Sequence, residues 1–289
     1  PMNWPIGMGQ NFRGVIDLID KKAYVFETDE SGKFRVDDVP ADLAAEVDRR
    51  NKEIIEMIAE SDERLMEKYF EKGELTAEEF QSGFKKAILN HQLFPVYAAS
   101  AVLNIGAQPL LDGMLSCLPS PVERGGIKVK IKGAEETVKP ALDSPFGALV
   151  FKTISDPYTG RISLMRVFSG KINPDATVSN TSRDTDEKLG GLFLLQGKEQ
   201  VPAGQGKAGD IVATAKLKAT STGDTLSAKG AMLEFPAIKF PEPSISFAIE
   251  PKSRADEDKI SQASHRITEE DPTVRFERAL GLPRRRSAA

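Results

Sequence analysis

The chain has 289 residues, 40% hydrophobic and 28% charged, with a net charge of −4, the balance of an ordinary soluble globular protein of about two domains. No run approaches the roughly 20 apolar residues that span a bilayer, and the first residues lack a secretory pattern, so a cytoplasmic location is the default expectation, with no membrane partner. A single cysteine, Cys117, excludes an intrachain disulfide and a thiolate metal cluster, and its apolar setting (Leu115-Ser116-Cys117-Leu118) reads as a packed core position.

Charge is unevenly spread. Residues 1–118 hold 13 Lys+Arg against 21 Asp+Glu, and residues 119–289 hold 26 against 22. An acidic half joined to a mildly basic half suits two kinds of partner, a protein surface and a phosphate backbone, although a mix of solvated faces accounts for the charge equally well.

In chain order, Phe12 to Ile19 and Lys22 to Phe26 read as strands, with turn-formers from Asp29 to Gly32. From Asp42 the pattern turns helical: Leu43, Val47, Ile54, Ile58, Leu65 and Tyr69 fall on one stripe. Ser61-Asp62 caps a second helix, Gly73 ends it, and Thr76 with Glu79 forms a capping box ahead of Phe80, Phe84 and Ile88. Leu93 to Ser100 predicts a short strand. A helix follows with Pro109 in its first turn and Leu110, Leu111, Met114, Leu115 and Leu118 as its buried side. Residues 119–144 read as a connector.

From Phe146 to about Phe240 the pattern is all-β. Strands are predicted at 149–154, 161–168, 177–180, 188–195 and 211–215, separated by Asp156-Pro157-Tyr158-Thr159-Gly160, Ser169-Gly170, Asn173-Pro174-Asp175 and Ala208-Gly209-Asp210. That spacing predicts a closed barrel. Ser244 to Glu250 as a strand, a helix around Glu257 to Thr268, and a strand-like Thr273 to Glu277 then open an α+β unit.

Catalytic patterns fail one after another. Gly32-Lys33, Gly170-Lys171, Gly197-Lys198 and Gly206-Lys207 lack the glycine five positions earlier that lets backbone N–H groups wrap a triphosphate. Asn51-Lys52-Glu53-Ile54 lacks the Asp that reads guanine and reads as a solvated helix face. Asp29-Glu30-Ser31-Gly32 matches a switch motif by letters and a hairpin turn by context. The only histidines, His91 and His265, lie in polar helical surroundings that suit exposure or capping. The acidic residues of 42–79 recur at helical intervals on outward faces.

The ordered blocks nevertheless resemble the elongation factor G family, over about residues 1–278. Pro5-Ile6-Gly7, Phe12 to Ile19, Ala59 to Tyr69 and Gly73 to Thr76 are similar to the insert of that family's GTPase domain. Pro95 to Ala101, Gly106, Leu110-Leu111-Asp112 and Leu118 to Pro121 resemble the end of that domain. Phe151-Lys152-Thr153, Asp156 to Gly160, Arg166 to Gly170, Gly209-Asp210-Ile211 and Thr222 to Leu226 resemble its second domain. Ile249 to Ser253, Asp256 to Ile260 and Glu269 to Thr273 resemble the start of its third domain. Leu195 to Gln200 leans toward the divergent elongation factor G-like subgroup.

The resemblance implies a multidomain α/β plus all-β architecture: the C-terminal part of a P-loop GTPase domain with its α/β insert (1–118), a connector (119–144), a translation-factor β-barrel (145–240) and an incomplete ferredoxin-like α+β domain (241–289). It implies a monomer, an internal piece of a ribosome-dependent GTPase acting in translocation or ribosome recycling. GTP and Mg serve the intact family, and neither is expected for these residues. Only the last guanine-contacting motif carries over, onto Ser100 and Ala101, with Ala99 where the family has Gly. Ribosomal partners follow: the stalk protein for the acidic insert and small-subunit ribosomal RNA for the barrel. Arg161, Arg166 and Lys171 are its candidate phosphate contacts, or else solvated strand residues. A non-catalytic ribosome- or RNA-binding module and an inactive gene fragment remain alternatives. The tail from Ala279 departs from the family, and Arg284 to Arg286 within it could touch RNA.

Overall fold

The computed structural model describes residues 1–156 and 159–277, and the tail from Ala279 with its three arginines lies outside them. The chain divides into two compact units, 1–120 and 121–289.

The first unit opens with an antiparallel meander: β1 (Asn3–Ile6), β2 (Gly14–Asp17), β3 (Lys22–Phe26) and β4 (Phe34–Asp38), paired in that order. The turn between β3 and β4 holds Asp29 to Gly32, as the turn-formers predict. Helices α1 (Ala44–Glu60), α2 (Glu63–Lys72) and α3 (Ala77–Leu89) follow, then α4 (Ala107–Cys117). Asp62 accepts the Arg64 amide to start α2, and Gly73 ends it in the left-handed region (φ 75°). Thr76 and Glu79 cap α3 reciprocally, and that bond together with Lys68 draws the Glu79 carboxyl down to about 2. The α1 stripe delivers Val47, Ile54 and Ile58 onto Ile16, Leu18 and Ala23 of the meander, and Phe84 joins from α3. Arg50 lies 4.8 Å above the Trp4 ring.

Three expectations for this unit change. Asn51 is buried, not solvated: its amide donates to the Leu18 carbonyl at 2.8 Å, satisfying a strand-end acceptor that apolar packing would leave orphaned. Leu93 to Ser100 is extended but makes only an isolated bridge, Ser100 to Ile105. Helix α4 turns its small residues inward. Gly113 and Cys117 are buried, whereas Leu111, Met114, Leu115 and Leu118 are exposed. Tyr97 explains the reversal, because a methyl at Gly113 would stand 2.3 Å from its Oη.

The second unit is built on strands. Residues 119–144, expected as a connector, contain β5 (Ile127–Ile131) and β6 (Ala134–Val138). Ile127, Val129 and Ile131 alternate with lysines, and that apolar face packs on Leu233 and Phe235. Then come β7 (Gly147–Asp156), β8 (Gly160–Ser169), β9 (Lys171–Ile172), β10 (Thr177–Asn180), β11 (Thr185–Lys188), β12 (Leu192–Gln196), β13 (Glu199–Ala203), β14 (Gly206–Lys207), β15 (Ile211–Ala215), β16 (Thr225–Ala228) and β17 (Leu233–Glu234). The expected strand 188–195 is thus two, broken at Leu189 to Gly191. Helix α5 (Arg254–Glu270) closes the described chain. The residues around it expected as strands, 244–250 and 273–277, form no ladder among the described residues, and Thr273 sits in a turn.

One antiparallel sheet holds eight of these strands, in the order β11-β10-β16-β7-β8-β15-β12-β13. Its inner face encloses a single core with residues from nearly the full width: Val178, Leu226, Val150, Met165, Val167, Val212 and Leu192. The sheet therefore curls around the core, consistent with the barrel predicted from strand spacing, although among the described residues no backbone ladder joins β11 to β13.

A side chain ties edge strand β11 to the loop that leaves β15. Glu187, on edge strand β11 and 5% exposed, accepts the amides of Lys218 (3.2 Å), Ala219 (2.7 Å) and Thr220 (3.0 Å) and the Thr220 hydroxyl (3.0 Å). Those residues form the loop that leaves β15. Burial alone would raise this carboxyl, yet the Ala219, Lys218 and Thr220 donors outweigh it and hold the group below the usual carboxylate range. Beside it, Asn180 Nδ2 donates to Thr220 Oγ1 and to Asp224 Oδ2, both at 3.0 Å.

Glu187→Ala strands these buried donors, and urea unfolding of the second unit should show a loss of about 2–3 kcal/mol. Because the folded carboxyl is the stronger acid, its contribution is complete above the unfolded value near 4.3 and disappears as pH falls through the folded one. Stability of the wild type measured from pH 6 to pH 3 should fall more steeply than that of Glu187→Gln.

Candidate functional site

Two clusters gather the residues singled out in the sequence, one in each unit. In the first unit, the segment from Tyr97 to Gly106 is held from both sides. Asn3 on β1 grips Ala98 twice: its Oδ1 accepts the Ala98 amide at 2.7 Å and its Nδ2 donates to the Ala98 carbonyl at 3.1 Å. Ser100 then exchanges both backbone hydrogen bonds with Ile105, at 2.8 and 3.0 Å, while its Oγ accepts the Leu103 amide. Gly106, at φ 75°, starts α4, and its left-handed backbone is one that glycine adopts without strain. The Ser100 amide is therefore spent inside the loop. Ala101, the other residue carried over from the family, stands exposed at the tip.

The β3–β4 turn reaches the same loop. Gln108 Nε2 donates to the Gly32 carbonyl at 2.9 Å and Asn104 Nδ2 to the Glu30 carbonyl at 3.3 Å. Below the loop, the Tyr97 hydroxyl meets the Cys117 Sγ at 3.7 Å, and burial pushes the phenol above its ordinary range. Cys117 is buried, as its apolar setting predicts.

In the second unit, the structure separates the three candidate basic residues. Arg161, at the start of β8, is committed internally. Its Nη1 donates to Glu269 Oε1 at 3.1 Å, and its Nη2 to the carbonyls of Leu217 (2.5 Å) and Lys218 (2.9 Å). Arg166 is half-buried at mid-strand, opposite Ile211. Lys171 is exposed, and on the short β9–β14 pair it stands directly opposite Lys207.

That second lysine escapes a reading of the sequence, since nothing local couples two positions 36 residues apart. A signal does exist in the turn Ala208-Gly209-Asp210, which returns β14 onto β15. Asp210 accepts the Lys207 amide at 2.9 Å, the Gly209 amide bonds Val167 and the Ala208 amide bonds Gly170. Lys207 and Lys171 are fixed as neighbours through this backbone. Like charges at opposed positions repel.

Among the described residues no group of three or more His, Cys, Asp or Glu could hold a metal ion, and no helix is long and apolar enough to cross a membrane. His91 follows α3 at φ 58° and His265 is exposed on α5.

A family model for elongation factor G domain 2 matches residues 145–229, and one for elongation factor G domain III matches residues 240–279. Residues 145–229 and 240–279 are thus similar, in that order, to the second and third domains of elongation factor G. A crystal structure of a protein from Thermus thermophilus is similar over 96% of this chain, with a TM-score of 0.79 and 31% identity. The match covers 39% of that protein, so the chain spans about two-fifths of its length.

The Asn3 clamp makes a test possible in the first unit. Asn3→Asp keeps the acceptor but sets a carboxylate oxygen against the Ala98 carbonyl. It should destabilise this unit by about 1–3 kcal/mol in chemical unfolding and speed amide exchange across 97–106.

Proposed function

We propose that the chain is part of a translational GTPase, attaching to the ribosome through its second unit and carrying out no GTP hydrolysis with these residues alone. One observation supports the attachment above others: the opposed, exposed pair Lys171–Lys207. A phosphate between the two ammonium groups relieves their repulsion and gains two charge-assisted contacts. Such contacts position a protein on a nucleic acid backbone without reading its sequence. Arg166, one register pair beyond the connecting turn, extends the basic stretch along β8. Arg161 is the weaker candidate, because its Nη1 and Nη2 already bond Glu269, Leu217 and Lys218 within the unit.

In this reading the RNA is that of the small ribosomal subunit, met in the cytoplasm by a monomer. The acidic helical face of α1 to α3 would be the contact surface for a ribosomal stalk protein. Ala101 would offer the backbone amide that meets a guanine base, with the Ser100–Ile105 bridge fixing the loop. GTP and Mg would need a P-loop, two switches and an N-K-x-D motif; the P-loop and N-K-x-D patterns do not occur in this sequence, and the D-x-x-G letters of Asp29 to Gly32 lie in the β3–β4 turn. Phosphoryl transfer in this class works by positioning water and metal, which a guanine-edge loop alone cannot do. The whole protein's task would be translocation or ribosome recycling.

Cosedimentation with small ribosomal subunits over a potassium chloride series tests the attachment. Wild-type binding should fall steeply with salt, and Lys171→Glu with Lys207→Glu should weaken it about tenfold and flatten the salt slope by about 2. Binding that the double variant leaves intact would sink the assignment, and absence of wild-type binding would favour the inactive alternative. A purified sample should release no phosphate from GTP, with or without ribosomes. Sustained turnover would overturn the non-catalytic reading.

A further inference from the structure

Helix α5 is attached to the curled sheet in an unusual way. A surface helix ordinarily docks by burying an apolar stripe. Among the described side chains of α5 only Ser264 is buried, while Ile267 is 51% exposed. The hydrogen bonds that tie the helix to the sheet come from its last turn. Glu269 Oε1 receives Arg161 Nη1 at 3.1 Å. Glu270 Oε1 receives the Ser155 backbone amide at 2.5 Å, and Lys152 Nζ reaches the Glu270 carbonyl at 3.4 Å.

The receiving side is rigid. Ser155 and Arg161 are a register pair near the end of the β7–β8 hairpin. Arg161 also ties down the carbonyls of Leu217 and Lys218, in the loop whose amides Glu187 holds. One end of the attachment is thus wired into the core, and the other is two carboxylates on an otherwise unburied helix. The Arg161–Glu269 pair is only partly shielded, with side-chain exposures of 19% and 30%. Glu269 also has a second neighbour, His265, whose Nδ1 lies 3.7 Å from the same oxygen one helical turn back.

We infer that Arg161, with Glu269 and Glu270, forms a releasable latch that seats the first helix of the third domain on the second domain. The seat opens without exposing an apolar core, because none is formed there. Its strength comes from half-screened charge, so ionic strength or a competing anion at Arg161 loosens it while the sheet stays folded. This inference rests on the hydrogen-bond pattern and holds whether or not the ribosomal reading does.

Hydrogen–deuterium exchange on the 289-residue chain tests it. Glu269→Gln should make residues 254–270 exchange about tenfold faster, the loss of one charge-assisted bond, with β7, β8 and β15 unchanged. Molar sodium chloride should do the same to the wild type and add little in the variant. The double variant Arg161→Gln, Glu269→Gln should exchange no faster across α5 than Glu269→Gln alone. Unchanged α5 exchange in Glu269→Gln, or an equal acceleration in the sheet strands, overturns the latch. Should Arg161→Gln disturb the sheet, the single Glu269 substitution and the salt response still decide.

Discussion

The second unit depends on one buried carboxylate. Its sheet curls far enough to wrap a core, yet among the described residues no ladder joins the outer strands β11 and β13. A curled sheet without a seam has a free edge on each side, and free edges invite slippage and foreign pairing. Glu187 removes that freedom on one side by collecting three amides and a hydroxyl from the loop after β15. The loop in turn presents its carbonyls to Arg161. A charge buried at this depth is costly unless its acceptor capacity is filled, and here four donors converge on it.

The same unit tolerates less complete satisfaction nearby. Thr153, Ser163 and Thr214 are buried side by side across β7, β8 and β15. Thr222 donates to Thr153 at 3.0 Å, but the Ser163 and Thr214 hydroxyls lack protein partners. The sheet interior is thus apolar toward Met165 and Val167 and hydroxyl-lined toward the loop end, where the Asn180–Thr220–Asp224 network takes over. Polar groups placed at that end orient the exit loop, while the apolar end supplies most of the burial.

Much of the first unit is legible in the sequence because its signals are local. The capping box at Thr76, the Asp62 cap, the Gly73 stop and the α1 stripe each lie within a few residues of what they control. The turns of the β-domain are legible for the same reason. Where partners lie far apart, the sequence misleads. The alternation of Ile127, Val129 and Ile131 and the hairpin to β6 are local, but the residues that the apolar face packs on, Leu233 and Phe235, lie about a hundred residues away, so the segment passes for a connector. Asn51 looks solvated by its neighbours' polarity, although the acceptor it serves, Leu18, is 33 positions upstream. The leucines of α4 suggest a buried face, whereas Gly113 and Cys117 admit the close approach of Tyr97. Arg161 and Lys171 are equivalent as residue types. Only tertiary geometry gives one to an internal carboxylate and the other to an opposed lysine.

Fixing a stiff rod at one end alone has a mechanical consequence. The 17 residues of α5 make a rod of roughly 25 Å, gripped at its last turn. A rotation of about ten degrees at that grip sweeps the opposite tip through about 4 Å. Were the latch to shift, small rearrangements of two carboxylates would become larger excursions at Arg254, with the β7–β8 hairpin as the fulcrum of a lever arm.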